Sequence, residues 1–161
     1  MAILEVALKI AEQMHEGQKY GDMPYMTHVN EVVRNTRLRL DGQPHRSDLN
    51  HSRALIVAAL HDTLEDTELT YSHIRKFFGP VIASDVAMLT KHPLFSYEEN
   101  IVRIADGNYV YAAFVKLCDN LANAAGDKSH MSEERRIKLE ARYAWSIEYL
   151  TAYLNKQGFY V

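Results

Sequence analysis

Apolar residues recur at three- and four-residue spacing along most of this chain, a pattern that predicts helices nearly throughout. Ile3, Val6, Ala7, Ile10, Ala11 and Met14 form the first stripe, which stops near Gly17. Lys19 to Met26, with Gly21 and Pro24, reads as a loop. Thr27 is then placed to cap a helix carrying Val29, Val32 and Val33. Leu40 to His51, with Gly42, Pro44 and several polar residues, is the most loop-like stretch. Ser47 or Asp48 caps a helix in which Ala54, Leu55, Val57, Ala58, Ala59 and Leu60 leave almost no polar face, so it is predicted to lie buried at the centre.

Further on, Thr70 caps a short helix ending at Phe77, Phe78 and Gly79. Pro80 opens the next, with Val81, Ala83, Val86, Ala87 and Leu89. Ser96 caps another, with Ile101 and Ile104 inward, and Tyr109 to Ala125 reads as a second central helix. Ser132, followed by Glu133 and Glu134, starts a long final helix with a stripe of Ile137, Ala141, Ala144, Ile147, Leu150 and Leu154. No alternating strand pattern persists. The expected fold class is all-α: a compact single-domain helical bundle over 1–161, with about seven or eight helices.

Composition narrows the function classes. The 161 residues carry 47% hydrophobic and 24% charged positions, enough for a sizeable core. A net charge of −3 disfavours a general nucleic-acid coat, so no nucleic-acid partner is expected. The first nine residues read as the start of a helix rather than a leader, and no apolar run reaches the roughly 20 residues of a membrane span. Together with the lone Cys118, this points to a soluble, cytoplasmic protein with no membrane partner.

The most unusual feature is polar chemistry at the end of the most apolar helix. Leu60 is followed by His61, Asp62, Thr63, Leu64, Glu65, Asp66 and Thr67. If the helix continues, Glu65 stacks one turn above His61 and Asp66 one turn above Asp62. If it ends near Leu64, that stacking loosens. Four ionisable groups at the tip of a core helix need counter-charge, which a divalent cation would supply. Asp119 follows another apolar run, and a buried carboxylate needs a partner. His28 follows Pro24-Tyr25-Met26-Thr27 near a helix start. Taken singly, His28 reads as a surface or capping histidine and Asp119 as a salt-bridge member. Lys19, Lys91 and Lys116 are candidate point charges for an anionic ligand, and Tyr20 and Tyr25 flank one loop with rings that could stack on a planar group. His45, His51, His73, His92 and His130 are scattered and receive no role.

Taken in order, His28, His61-Asp62 and Asp119 make the pattern H…HD…D, which resembles the HD phosphohydrolase superfamily. The blocks His15-Glu16-Gly17-Gln18-Lys19, Pro24 to His28, His61 to Thr67, Phe78-Gly79, Leu89-Thr90-Lys91 and Val115 to Asp119 look like the hydrolase domain of the RelA/SpoT proteins. They look still more like the small stand-alone alarmone hydrolases, the group that includes the metazoan SpoT homologues. The resemblance runs from about residue 7 to 126.

It implies that His28, His61, Asp62 and Asp119 hold one metal ion, usually Mn2+, and that Glu65 and Asp66 are the catalytic acid pair. It places Asn123 at a nucleotide contact and Lys19 where that group has basic residues, with Tyr20 beside it. The implied activity is a 3′-pyrophosphohydrolase acting on (p)ppGpp or (p)ppApp, small phosphorylated nucleotides of the stringent response. Alternatives are a nucleotide phosphomonoesterase, such as an NADPH 2′-phosphatase, and a catalytically silent nucleotide-binding module. Asn120-Leu121-Ala122-Asn123 departs from the common Arg-Leu-His-Asn, and Val29 replaces a frequent proline. Tyr143, Trp145, Tyr149 and Tyr153 on the terminal helix are expected in the core or in contacts of a homo-oligomer.

Overall fold

Two nearly continuous apolar runs pack at the centre of the molecule, and the remaining helices cover them. A computed structural model describes residues 2–43 and 47–161. Pro44 and His45, in the predicted loop, lie outside the described residues. The elements are α1 (Ile3–Met14), β1 (Lys19–Tyr20), β2 (Met23–Pro24), α2 (Met26–Asp41), α3 (Asp48–Leu60), α4 (Thr63–Asp66), α5 (Tyr71–Phe78), α6 (Pro80–Leu89), α7 (Tyr97–Asp106), α8 (Val110–Ala125) and α9 (Glu133–Lys156). Eight of these helices have eight or more residues, and α4 is a single turn. Among the described residues the fold is all-helical apart from one two-stranded antiparallel hairpin.

The central run of α3 is buried at Ala54, Ile56, Val57, Ala58, Ala59 and Leu60. Its alanines leave room for close approach, and α1, α2, α6 and α8 pack around it. Helix α8 buries ten of its sixteen residues, including Phe114, Leu117 and Asp119. The chain's end closes this core. Phe159 sits 5.1 Å from the Phe114 ring, and Gln43 exchanges two hydrogen bonds with the Tyr160 backbone (2.7 and 2.8 Å). Burying a side chain the size of Phe159 or Leu60 contributes about 1.5–3 kcal/mol.

The caps follow sequence signals. Ser47 accepts from Asn50 N, Thr70 from His73 N, Ser96 from Glu99 N and Ser132 from Arg135 N. Gly79, at φ +86°, lets α5 end and α6 begin at Pro80 without a longer loop.

Several expectations are corrected. Thr27 lies inside α2, because Tyr25 is already helical at φ −57° and ψ −33° and serves as the cap position. The loop from Lys19 contains the β1–β2 hairpin. The loop predicted from Leu40 is shorter, since α2 runs to Asp41 and α3 starts at Asp48. The stripe on α9 is buried only in its second half: Leu150 and Leu154 are inside, whereas Ile137, Ala141 and Ala144 are exposed. No helix among the described residues is long and apolar enough to cross a membrane.

One buried charge ties α3 to α6. Asp85 is fully buried and receives two bonds from the Arg53 guanidinium (2.6 and 2.8 Å), which also lies over the Tyr111 ring. Removing one partner of such a pair strands the other. Arg53→Met is expected to destabilise the fold by about 3 kcal/mol in urea unfolding, and adding Asp85→Leu should recover most of the loss.

Candidate metal centre and active site

The His-Asp tip is built by a break in the helix. α3 ends at Leu60, Asp62 turns at φ −102° and ψ −4°, and α4 restarts at Thr63. Thr63 Oγ1 donates to Leu60 O (2.7 Å) and Thr67 Oγ1 to Thr63 O (2.6 Å), so both threonines occupy carbonyls around the break. Glu65 N and Asp66 N donate back to Asp62 O (3.1 and 2.9 Å). The stacking of Asp66 above Asp62 therefore holds, although the helix is interrupted below it.

The structure brings the four expected ligand side chains together. His61 Nε2 lies 3.3 Å from His28 Nε2 and 2.9 Å from Asp62 Oδ2. Asp119 Oδ1 lies 3.2 Å from His28 Nε2 and 3.8 Å from His61 Nε2. His28, His61 and Asp119 are buried, and Asp62 is partly open to the cavity. Helix α2 carries His28, the end of α3 carries His61, and α8 carries Asp119.

This donor set fits a divalent cation. Bonds of about 2.0–2.2 Å to such an ion place neighbouring donor atoms roughly 3 Å apart, and the separations here run from 2.9 to 3.8 Å. His28, His61 and Asp62 alone present three ligand atoms within 4.8 Å of one another. His61 Nδ1 donates to Ala58 O (2.8 Å), which fixes the ring and turns Nε2 toward the cluster. Burial opposes charge on His61, yet Asp62 and Asp119 overcome it and raise its pKa to about 9. Burial likewise opposes charge on Asp119, but Lys116, His28 and His61 hold it well below the usual carboxylate range. The cluster demands positive charge at its centre.

A second ring of residues fixes the first. Asn123 Nδ2 donates to Asp119 Oδ1 (2.6 Å) and Lys116 Nζ to Asp119 Oδ2 (2.8 Å). Tyr20 stacks on His28 (4.7 Å between ring centres) and donates to Asn123 Oδ1 (2.9 Å). Tyr25 OH reaches Asp62 Oδ2 (2.6 Å) and Asp66 Oδ2 (3.3 Å). His15 stacks beneath Tyr25 and donates to Gln18, whose amide holds Asp66 O. The hairpin and the end of α1 thus brace the acid pair. Burial and the neighbouring Asp62 and Glu65 charges raise the pKa of Asp66. Glu65 is held by Lys91, through both its amine and its backbone N–H.

These groups open onto a cavity of about 210 Å³, lined by Tyr20, Glu65, Asp66, Lys91, Lys116 and Asn123 beside three of the four expected ligands. Lys19 is not on that wall. It is exposed and lines an adjoining groove with Glu12, Glu16 and Asp22. Four lining residues went unassigned in the sequence: Tyr97 on α7, Asn120 on α8, and Arg142 and Tyr143 on α9. Tyr143 was expected in the core or at a subunit contact, yet it faces this cavity. Asn120 lay beside Asp119 and could have been suspected from that neighbour. Nothing in the local pattern marks Tyr97, Arg142 or Tyr143, because it is the docking of α7 and α9 that brings them here.

No protein-family profile matches the sequence, but individual proteins do. The Danio rerio guanosine-3′,5′-bis(diphosphate) 3′-pyrophosphohydrolase MESH1 is 27% identical over 125 residues, covering 76% of this chain and 67% of that protein. A GTP pyrophosphokinase of Brucella melitensis is 33% identical over 150 residues, 86% of this chain but 18% of its own length. An Aquifex aeolicus 3′-pyrophosphohydrolase is 31% identical over 129 residues, 74% of this chain and 17% of that protein. The chain therefore spans less than a fifth of these two long relatives. A solved metazoan SpoT orthologue, described as hydrolysing ppGpp, superimposes with a TM-score of 0.70 at 21% identity, covering 97% of this chain and 93% of that one.

The chain resembles MESH1- and SpoT-type hydrolases. It shares the helical fold of the metazoan orthologue over nearly its whole length.

Loss of a central donor should be severe, whereas loss of a bracing hydroxyl should be graded. His61→Ala and Asp119→Ala are each expected to abolish tight binding of a divalent first-row cation in calorimetric titration. Tyr25→Phe should weaken that binding about 10- to 100-fold. Unchanged affinity in Asp119→Ala would remove that carboxylate from the centre.

Proposed function

We propose that this chain is a metal-dependent ppGpp 3′-pyrophosphohydrolase, and that residues 1–161 act as one hydrolase domain. The observation carrying this reading is the convergence of His28, His61, Asp62 and Asp119 beside the Glu65-Asp66 pair, on a chain similar to proteins named for that activity. The substrate class is the small nucleotide carrying 3′ and 5′ phosphate chains, with guanine or adenine as the base. The four donors would hold one cation, for which Mn2+ is our choice among ions suited to mixed nitrogen and oxygen ligands. When bound, it supplies Lewis-acid polarisation of the phosphoryl group and of water.

The reaction adds water to the phosphorus attached at the ribose 3′ oxygen. The P–O3′ bond breaks, pyrophosphate leaves, and O3′ gains a proton. Glu65 and Asp66 handle those protons, one taking the water proton and one serving the leaving oxygen. Tyr25 shares its hydroxyl with Asp62 and Asp66 and so keeps the acid pair in register with the donor cluster. Asn123 and Tyr20 border the same space, which supports a role for both in holding the nucleotide. Lys91 and Lys116 set the charge balance through Glu65 and Asp119. The reading includes a cytoplasmic setting and leaves the exposed face of α9 with Ile137, Ala141 and Ala144 available for self-association.

Purified protein with Mn2+ is expected to release pyrophosphate from ppGpp, resolved by ion-exchange chromatography. Orthophosphate release from NADPH would instead favour a phosphomonoesterase, and binding without turnover a silent module. Asp62→Ala should abolish turnover, and Glu65→Gln and Asp66→Asn should each lower it by about 10²- to 10⁴-fold. Full turnover in Asp62→Ala would place the chemistry elsewhere.

A further inference from the structure

Four carboxylates (Asp62, Glu65, Asp66 and Asp119) and three permanent cations (Lys91, Lys116 and Arg142) line the cavity among the described residues. Two of the cations are already committed. Lys91 is paired with Glu65, and Lys116, with a side chain only 15% exposed, is paired with Asp119. Arg142 has no carboxylate partner among the described residues. Its guanidinium carbon lies 4.7 Å above the centre of the Tyr97 ring.

That ring is a fixed platform. Tyr97 OH bonds Asn120 Oδ1 (3.2 Å) and Ser146 Oγ (3.1 Å), and Asn120 Nδ2 donates to Ser146 Oγ (2.8 Å) in the buried seam between α8 and α9. Ser146 is one turn beyond Arg142 on α9, so the same seam fixes the helix that carries the arginine. A guanidinium resting on an aromatic face keeps its in-plane N–H donors free, in the fork that fits two phosphate oxygens.

We propose that Arg142 is the specificity anchor for the phosphates that are not cleaved, the 5′-diphosphate of a doubly phosphorylated nucleotide. This inference rests on the proposed pyrophosphohydrolase reading. The scissile 3′ group must reach the His28–His61–Asp62–Asp119 cluster, which Arg142 does not contact. The second phosphate chain enters a cavity whose other cations are neutralised, and Arg142 is the charge that receives it. Tyr97, Asn120 and Ser146 are positioning residues for this contact. Nucleotides without a 5′ phosphate chain lose it.

The test uses GDP, the nucleotide left after the 3′ cleavage, so binding is read without turnover. Calorimetric titration should show GDP affinity falling about tenfold or more in Arg142→Gln, with guanosine affinity unchanged. Arg142→Lys should recover part of the loss, because it keeps the charge but not the fork. In ppGpp hydrolysis, Arg142→Gln should raise KM about tenfold and leave kcat within about twofold. Equal GDP affinity in wild type and Arg142→Gln would overturn the anchor. So would equal losses for GDP and guanosine, or a fall in kcat at constant KM. A wild-type protein that binds GDP through Arg142 but releases no pyrophosphate would reject the activity and retain the anchor.

Discussion

Two carboxylates, Asp62 just past the end of α3 and Asp119 within α8, each lie against both His28 and His61, and the site is arranged around the positive charge they require. A buried carboxylate without a partner costs several kcal/mol. Here the demand is met by imidazoles at 2.9–3.8 Å, by Lys116 on the outer oxygen of Asp119, and by amide and phenol donors behind them. The same demand makes the cluster a fitting seat for a divalent cation.

The helical scaffold supplies the precision. Alanines on α3 let its neighbours approach closely, and the break after Leu60 turns His61 and Asp62 out of an otherwise apolar column. Threonine hydroxyls stabilise that break by occupying the carbonyls around it. Without Thr63 and Thr67, the carbonyls of a buried helix end would be left without these partners. The short hairpin and the end of α1 then reach over the tip, through Gln18, Tyr20 and Tyr25, and hold the acids and rings in place. The loop-like stretch between α1 and α2 is thus structural in its own right, although only its Tyr20 and Tyr25 meet the cavity.

The cavity's far wall comes from the last third of the chain. Helix α9 packs along α8 and beside α7, and it brings Arg142 and Tyr143 to a site otherwise made by residues 20 to 123. The charge bookkeeping changes with it. Lys91 and Lys116, plausible phosphate partners when read as isolated lysines, are each occupied by a carboxylate, and Lys19 lies outside the cavity. A cation's availability depends on what sits next to it, which residue identity does not reveal.

Much of the fold and the heart of the site could be read from the linear pattern. Hydrophobic periodicity located the helices because burying one face of each is the main driving force, and Ser47, Thr70, Ser96 and Ser132 marked starts through purely local hydrogen bonds. His61, Asp62 and Asp119 were visible because ionisable groups beside apolar runs are costly, whereas His28 joined them only through the H…HD…D order and the hydrolase resemblance of the motif blocks. Tertiary structure alone decided that Tyr25 rather than Thr27 stands at the cap of α2, that Ile137, Ala141 and Ala144 on α9 stay exposed, that Lys91 and Lys116 are neutralised, and that Arg142 and Tyr143 face the cavity beside the His-Asp cluster. These outcomes depend on contacts between residues tens of positions apart. Local spacing encodes which face of a helix is apolar, whereas packing determines what that face, and the charges beside it, will meet.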